Sequence, residues 1–357
     1  MIRDFDNKYH FAELFDENTG TYIRTGILDD RMNDTGVDPF MRSFPSLIDI
    51  GIMGRCVCVS KCHVECYQNA AARNCLKDAK NMSIDDYKLI MSQCKGKVFQ
   101  VALGGAGDPD THEDFEEILR VTRDNNIVPN FTTSGITMNR EKALMCKKYC
   151  GAVAVSEHNA IYTHQAFSML KNAGVKTNVH YVLSNQTIDA AIDRLKRDYY
   201  SMANAVVFLL YKPVGLGKVE KVLRVDDPRL KEFFKVIEDH PFTHKVGFDS
   251  CTAPAIVNLT SQINMDSIDY CEGGRHSMYI DHEMNAMPCS FGNQDSKWFV
   301  SLRNHTIEEA WNSDVFEMFR KSLQNSCTKC TQRSLCAGGC PIVRDIVLCE
   351  KSEKELV

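Results

Sequence analysis

No stretch of this 357-residue chain approaches the roughly 20 consecutive apolar residues that a membrane-crossing helix needs, which argues against a helical membrane anchor. The opening residues, Met1-Ile2-Arg3-Asp4-Phe5-Asp6, lack the basic and apolar regions of a secretory signal. There is no basic tract, and the formal charge is -5, so the electrostatic footprint of a nucleic-acid or anionic-membrane binder is missing too. The expectation is a cytoplasmic protein that binds neither nucleic acid nor membrane.

What is present is an ordinary globular composition, 44% hydrophobic and 25% charged, with enough length for a large domain and a smaller one. Cysteine is the exception. Sixteen are far more than an intracellular enzyme of this size uses, and a reducing compartment disfavours disulfides, so thiolate metal sites account for them better. Four fall within eleven residues, at Cys56, Cys58, Cys62 and Cys66, directly after the apolar run 47–53. Thiols at that density, behind a predicted buried strand, are suited to converge on one metal centre. Cys75, Cys94, Cys146 and Cys150 follow no ligand spacing and read as packing thiols on helix faces.

Residues 1–45 carry turn chemistry, such as Asp16-Glu17-Asn18-Thr19-Gly20, with little periodicity, and read as an irregular N-terminal extension. From residue 46 the pattern is regular. Strands are predicted at 47–53, 98–103, 127–132, 152–156, 176–183 and 205–211. Helix starts are predicted at Ser83, Thr111, Thr187 and Asp227-Pro228. Six strands alternating with helices over 46–245 imply parallel β/α units, curled as a barrel or laid out as an open sheet. Ligands then belong at the strand carboxyl ends, where the chain places the cysteine loop, the turn Gly104-Gly105-Ala106-Gly107-Asp108-Pro109, Thr133-Ser134-Gly135 and Ser156-Glu157-His158-Asn159. His180, on the fifth strand, faces either the interior of such a barrel or its helical packing.

After about residue 245 the alternation fades and cysteine returns, at Cys251, Cys271, Cys289, Cys327, Cys330, Cys336, Cys340 and Cys349. The shift marks a second unit over 246–357, expected to be loop-rich and held together by metal rather than by a hydrophobic core.

These motifs resemble the radical S-adenosylmethionine (SAM) enzymes with a C-terminal SPASM domain. The run Cys327-x2-Cys330-x5-Cys336-x3-Cys340 followed by Cys349 resembles the SPASM signature, and the Gly104–Pro109 turn is similar to the family's Gly-Gly-Glu-Pro region, with Asp108 in place of glutamate. The family's N-terminal spacing is Cys-x3-Cys-x2-Cys with an aromatic residue after the last thiol. Here Cys66-Tyr67 fits that ending and Cys62 the middle position, while the first ligand is Cys56, at the strand end, or Cys58, which keeps the first interval. The thiol left over is the one candidate near the barrel mouth for a hydrogen donor.

The resemblance implies a partial (β/α)6 barrel followed by a small loop-rich SPASM domain. It also implies a SAM-binding 4Fe-4S cluster, whose iron without a protein ligand binds SAM, and two auxiliary 4Fe-4S clusters. In the family a 5'-deoxyadenosyl radical is generated from SAM and abstracts hydrogen from substrate. By the same resemblance Gly104, Gly105, Gly107 and Asp108 receive the SAM amino group, Ser134, Ser156 and Glu157 its carboxylate and ribose, and the loop at Gly215 its adenine. Cys327, Cys330, Cys336 and Cys349 bind one auxiliary cluster and Cys271, Cys289 and Cys340 the other, with Cys251 a further ligand or an iron left open. The implied activity is radical modification of a peptide or protein, by crosslink, thioether formation or epimerisation, in maturation of a ribosomally made peptide, fed by a low-potential donor such as flavodoxin or ferredoxin. No catalytic residue is assigned. The alternatives are action on a sulfatase or a small metabolite, and, from another class, a non-catalytic zinc-binding interaction protein.

Overall fold

The computed structural model describes residues 2–62, 64–69 and 80–350, so Cys75 lies outside the described residues. The chain begins with a three-stranded antiparallel sheet, β1 (Ile2–Asp6), β2 (Phe11–Asp16) and β3 (Thr21–Arg24), rather than an irregular extension. The turns at 7–10 and 17–20 are the turn chemistry visible in the sequence; they join strands too short to show a period. Along β2, Phe11, Glu13 and Phe15 alternate inward. Phe15 stacks on Phe99 at 6.3 Å, so this sheet packs where the strands of the main sheet begin.

All six predicted strands form, as β4 (Leu47–Met53), β5 (Gln100–Gly105), β6 (Val128–Thr133), β7 (Val153–Ser156), β8 (Thr177–Leu183) and β9 (Ala205–Leu210), each parallel to the next. Two further strands extend the sheet. β10 (Lys245–Phe248) runs parallel beside β9, and β11 (Ser277–Ile280) runs parallel beside β4, continuing through the antiparallel β12 (Asn285–Met287) and β13 (Val300–Ser301). The C-terminal region is therefore joined to the barrel by a shared sheet. Its hydrophobic core is also substantial, because the fully buried Trp311 and Phe316 pack in one cluster with Ile48, Ile50 and Ile52. That corrects the expectation of a region held by metal alone; strands of two to four residues carry too little pattern to be read.

Helices cover one face of the sheet: α1 (Ile84–Cys94), α2 (Phe115–Asp124), α3 (Arg140–Tyr149), α4 (Ala160–Asn172), α5 (Ile188–Lys196) and α6 (Pro228–Asp239). Ser83 caps α1 by accepting from the Asp86 amide, and Asp227 caps α6 ahead of Pro228, as read from the sequence. The start predicted at Thr111 is displaced to Phe115. His112 interrupts there, its Nδ1 bonding the Asp114 amide and its Nε2 the Met82 carbonyl. Cys94 and Cys146 are buried among the helices, with Cys150 packed against the same core.

Strand alternation sends the β-branched and aromatic residues towards the helices: Ile48, Ile50 and Ile52 on β4, Val179, Tyr181 and Leu183 on β8, Val206, Phe208 and Leu210 on β9. The opposite face carries Asp49, Gln100, Asn130, Thr132, Asn178 and His180. Parallel sheets buried for packing alone are apolar on both faces. A polar inner face is what a ligand-holding barrel requires.

Candidate functional site

The cysteine loop leaves β4 and is gripped from two sides. On one side, the Ala106 amide donates to the Met53 carbonyl at 2.7 Å, and Gly105 takes φ +119°, where any Cβ would meet Met53 backbone. Gly107 presses on the backbone of Arg55 and Cys56 just as closely, its Cβ position lying 3.1 Å from the Cys56 Cα. On the other side, the Leu216 amide donates to the Cys66 carbonyl at 3.1 Å, and Gly215 abuts Tyr67 in the left-handed region at φ +65°. Glu65 is tied down by the Tyr211 hydroxyl at 2.8 Å and by Lys221 at 2.9 Å. Gly105, Gly107 and Gly215 thus place the thiol loop, while Gly104 alone of the four has open space over it.

Within the loop, the amides of Lys61 and Cys62 both donate to the Cys58 carbonyl, turning the chain back on itself. Cys62 lies in the field of Cys56 and Cys66, and burial pushes its thiol up. Cys58 is buried and hydrogen-bonds Cys56, which lowers Cys56 to about 7 and raises Cys58. The Cys58 sulfur also lies 3.9 Å from Asp108 Oδ2. Asp108 accepts from the Ser134 amide at 2.9 Å and from the Ser134 hydroxyl, so these two predicted residues do meet beside the thiols. Burial pushes the Asp108 carboxyl up, against the pull of those bonds.

Glu157 is engaged elsewhere. Its carboxylate takes the Tyr200 hydroxyl at 2.7 Å and Arg194 at 3.0 Å, and the Ser156 carbonyl accepts from Thr163 on α4. The structure therefore joins Asp108 and Ser134 to the loop but holds Glu157 by partners in the helical layer. His180 resolves inward, since its Nδ1 lies 3.4 Å from Thr132 on β6, two strands away. Burial lowers it to about 4, opposed by Asp249 and reinforced by His158, so it is neutral.

The later cysteines fall into two groups. The Cys336 thiol, pushed up by burial, lies in the field of Cys349, Cys330 and Cys327, and the left-handed Ala337, Gly338 and Gly339 wrap the chain around them. The other group is Cys251, Cys271, Cys289 and Cys340. Cys251 and Cys340 hydrogen-bond each other, Cys271 feels Cys251 and Cys289, and burial pushes Cys289 up to about 12. Cys251 thus completes a four-thiol set. Among the described residues, no three His, Cys, Asp or Glu side chains are close enough to hold a single metal ion. The surroundings fit iron-sulfur ligation: buried thiols, with amides of Gly273, Phe291, Gly338 and Val343 hydrogen-bonding sulfur atoms of Cys271, Cys289, Cys336 and Cys340.

Residues outside the predicted site set complete the arrangement. Asp110, with a fully buried side chain, binds Thr133 at 2.9 Å, Thr137 at 2.7 Å and Lys142 at 2.9 Å, knotting the glycine turn to the β6 loop and α3. Gln68 hydrogen-bonds Asn293 at 2.6 Å, and Tyr67 packs on Phe291 at 5.0 Å, so the thiol loop is fastened to the C-terminal region beside Cys289. Asp49 projects from the inner face of β4 within the field of Tyr67 and Cys289. Its one sequence cue was a charge inside an apolar strand.

Burial alone pushes Asp49 up to about 7. In the unfolded chain it loses its proton near about 3.9, so between these values the unfolded state releases a proton that the folded state keeps. Stability contributed by the protonated carboxyl is lost as pH rises through this window. The Asp49→Asn variant is expected to gain thermal stability over the parent between about pH 5 and about pH 8. Melting curves at both values check this; an unchanged difference contradicts it.

Residues 271–331 match the SPASM family, an iron-sulfur cluster-binding domain. Among solved structures, SuiB from Streptococcus suis bound to S-adenosylmethionine aligns with a TM-score of 0.67 and 15% identity, over 85% of this chain and 74% of SuiB. The chain shares the fold of this SAM-bound protein and carries a SPASM match in its C-terminal region. SuiB bound to its precursor peptide SuiA aligns with a TM-score of 0.66 and 16% identity, over 85% and 73% of the two chains. Native anSMEcpe with bound AdoMet and the Cp18Cys peptide aligns with a TM-score of 0.62 and 18% identity, over 87% of this chain and 95% of that one. No curated protein matches the sequence. The SPASM match spans Cys271, Cys289, Cys327 and Cys330, two thiols from each group. Among the described residues no helix is long and apolar enough to cross a membrane.

Proposed function

We infer that this chain is a radical SAM/SPASM enzyme that abstracts hydrogen from a peptide or protein substrate. One observation carries the reading: the thiols form three groups, one in the loop that follows β4 and two in the C-terminal region, and the loop is fastened beside Cys289 by the Tyr67–Phe291 packing and the Gln68–Asn293 bond. Cys56, Cys62 and Cys66 hold the SAM-binding cluster, since Cys62 lies in the field of both others while Cys58 is turned to Asp108. Cys327, Cys330, Cys336 and Cys349 hold one auxiliary cluster; Cys251, Cys271, Cys289 and Cys340 hold the other.

When bound, the SAM-loop cluster supplies the electron that cleaves SAM to methionine and a 5'-deoxyadenosyl radical. The chain's own part is placement and exclusion. Gly104 leaves room at the end of β5, and the carbonyls of the glycine turn with the Asp108 carboxyl offer acceptors to the SAM amino group. Ser134 orients Asp108 through two hydrogen bonds. Gly215 and its neighbours close the adenine side of the loop. The apolar strand faces and the helices behind them keep bulk water from the inner face.

A peptide or protein substrate is supported by the similarly folded structures solved with peptides, SuiB with SuiA and anSMEcpe with Cp18Cys. The inner wall meets it with Asp49, Thr132 and a neutral His180, groups able to bond a backbone or take a proton. A low-potential flavodoxin or ferredoxin supplies electrons in the cytoplasm.

The test is anaerobic incubation of reconstituted protein with SAM, dithionite and synthetic peptides encoded by short reading frames beside its gene. The expected result is faster 5'-deoxyadenosine release with one such peptide, deuterium passing from labelled peptide into that product. Stimulation by a small metabolite and by none of the peptides would overturn the substrate class.

A further inference from the structure

Lys212 follows β9 and is only 7% exposed. Its ammonium donates to Asp249 Oδ2 at 2.6 Å and to the Leu210 carbonyl at 2.9 Å, and lies 4.6 Å from the centre of the Phe291 ring. Asp249, just beyond β10, is fixed by three groups, because it also accepts from the Leu210 amide at 3.1 Å and the Thr252 hydroxyl at 2.9 Å. Two residues on from Asp249 stands Cys251, and two before Phe291 stands Cys289. The ammonium thus stands beside the segments that carry Cys251 and Cys289.

The charge relations run in one direction. Burial works against the ammonium, but Asp249 first, then Cys251 and Cys340, hold its charge in place. Lys212 in turn opposes the effect of burial at Cys251 and at Cys289. Burying such a pair costs desolvation that apolar side chains of the same volume would not incur. The position of the charge, rather than packing, explains it.

We propose that Lys212 raises the reduction potential of the auxiliary cluster held by Cys251, Cys271, Cys289 and Cys340, with Asp249 as its electrostatic counterweight. This rests on the iron-sulfur reading of those thiols. Reduction by one electron from a low-potential donor adds one negative charge within the thiolate cage, and a desolvated cation beside it favours the reduced form. The ammonium also lies over Phe291, which packs on Tyr67 next to Cys66, so its field covers a packed connection between two thiol groups.

The experiment is an EPR-monitored potentiometric titration of the full reconstituted chain carrying Cys62→Ala and Cys66→Ala, so that only the SPASM clusters report. Iron is assayed in every sample. In that background Lys212→Met is expected to shift one of the two potentials to a more negative value, Asp249→Asn to shift the same one to a more positive value, and Lys212→Arg to leave it near the parent. The potential of the Cys327, Cys330, Cys336 and Cys349 cluster stays put. Should Lys212→Met not fold, Lys212→Gln and Asp249→Asn carry the same opposed signs. Fully loaded variants whose potentials coincide with the parent, or move together in one direction, overturn the proposal. A parent without iron overturns the iron-sulfur reading itself, and the assay shows this before any potential is read.

Discussion

Replacing Cys62 or Cys66 by alanine is expected to abolish 5'-deoxyadenosine formation while removing only about four of about twelve irons, because each four-iron cluster stands in its own thiol group. The structure makes the loss local. The SAM-loop thiols are gripped by Gly105, Gly107 and Gly215, whereas the other two groups sit on elements beyond β10. Cys56→Ala behaves like Cys62→Ala. Cys58→Ala keeps the full iron content, because Cys58 is buried against Asp108 and serves Cys56 as a hydrogen-bond donor. Iron and sulfide assays with product analysis on the four single variants decide the matter. Loss of iron on Cys58→Ala with retention on Cys56→Ala would exchange the two assignments.

The second large effect is expected from Asp110→Ala. This carboxylate has no exposed surface on its side chain and accepts from Thr133, Thr137 and Lys142, the last also an ion pair at 2.9 Å. Removing it leaves two hydroxyls and a partly buried ammonium without their acceptor, at a cost of about 3 kcal/mol. The melting temperature is expected to fall by roughly 4 °C. The damage reaches the cofactor side as well. Asp110 holds the turn bearing Asp108 to the loop bearing Ser134, so SAM affinity is expected to fall by about tenfold or more, equivalent to about 1.4 kcal/mol. Asp110→Asn keeps one of the two hydroxyl bonds through its single amide oxygen and is expected to be milder on both counts. Thermal melts and SAM binding on the metal-loaded variants test this; a melting temperature within about 2 °C of the parent contradicts it.

The barrel was legible because its strands carry β-branched and apolar residues in short runs or in alternation, and such patterns report themselves locally. The N-terminal sheet was not. Its strands run four to six residues between turns, and what orders them is contact with distant residues such as Phe99 and Val128. The strands β11 to β13 were hidden for the same reason, since β11 forms against β4, whose paired residues lie 230 positions earlier.

At the candidate site, cysteine spacing announced thiol sites in the C-terminal region, the family resemblance divided them into two sets, and the structure sets Cys251 in hydrogen-bond contact with Cys340. Electrostatic partners were less readable. Lys212 and Asp249 are 37 residues apart, Asp110 and Lys142 32 apart, and no local period links them. Glu157 shows the opposite case. A carboxylate at a strand end reads as a ligand group, yet Arg194 and Tyr200 engage it from the next β/α unit.

The most direct test of the whole account is the metal content and visible spectrum of anaerobically reconstituted protein, followed by dithionite and SAM. The account predicts about twelve irons with matching sulfide, a broad brown absorbance, and 5'-deoxyadenosine with methionine. Protein that takes up zinc, binds no iron and leaves SAM intact would contradict it.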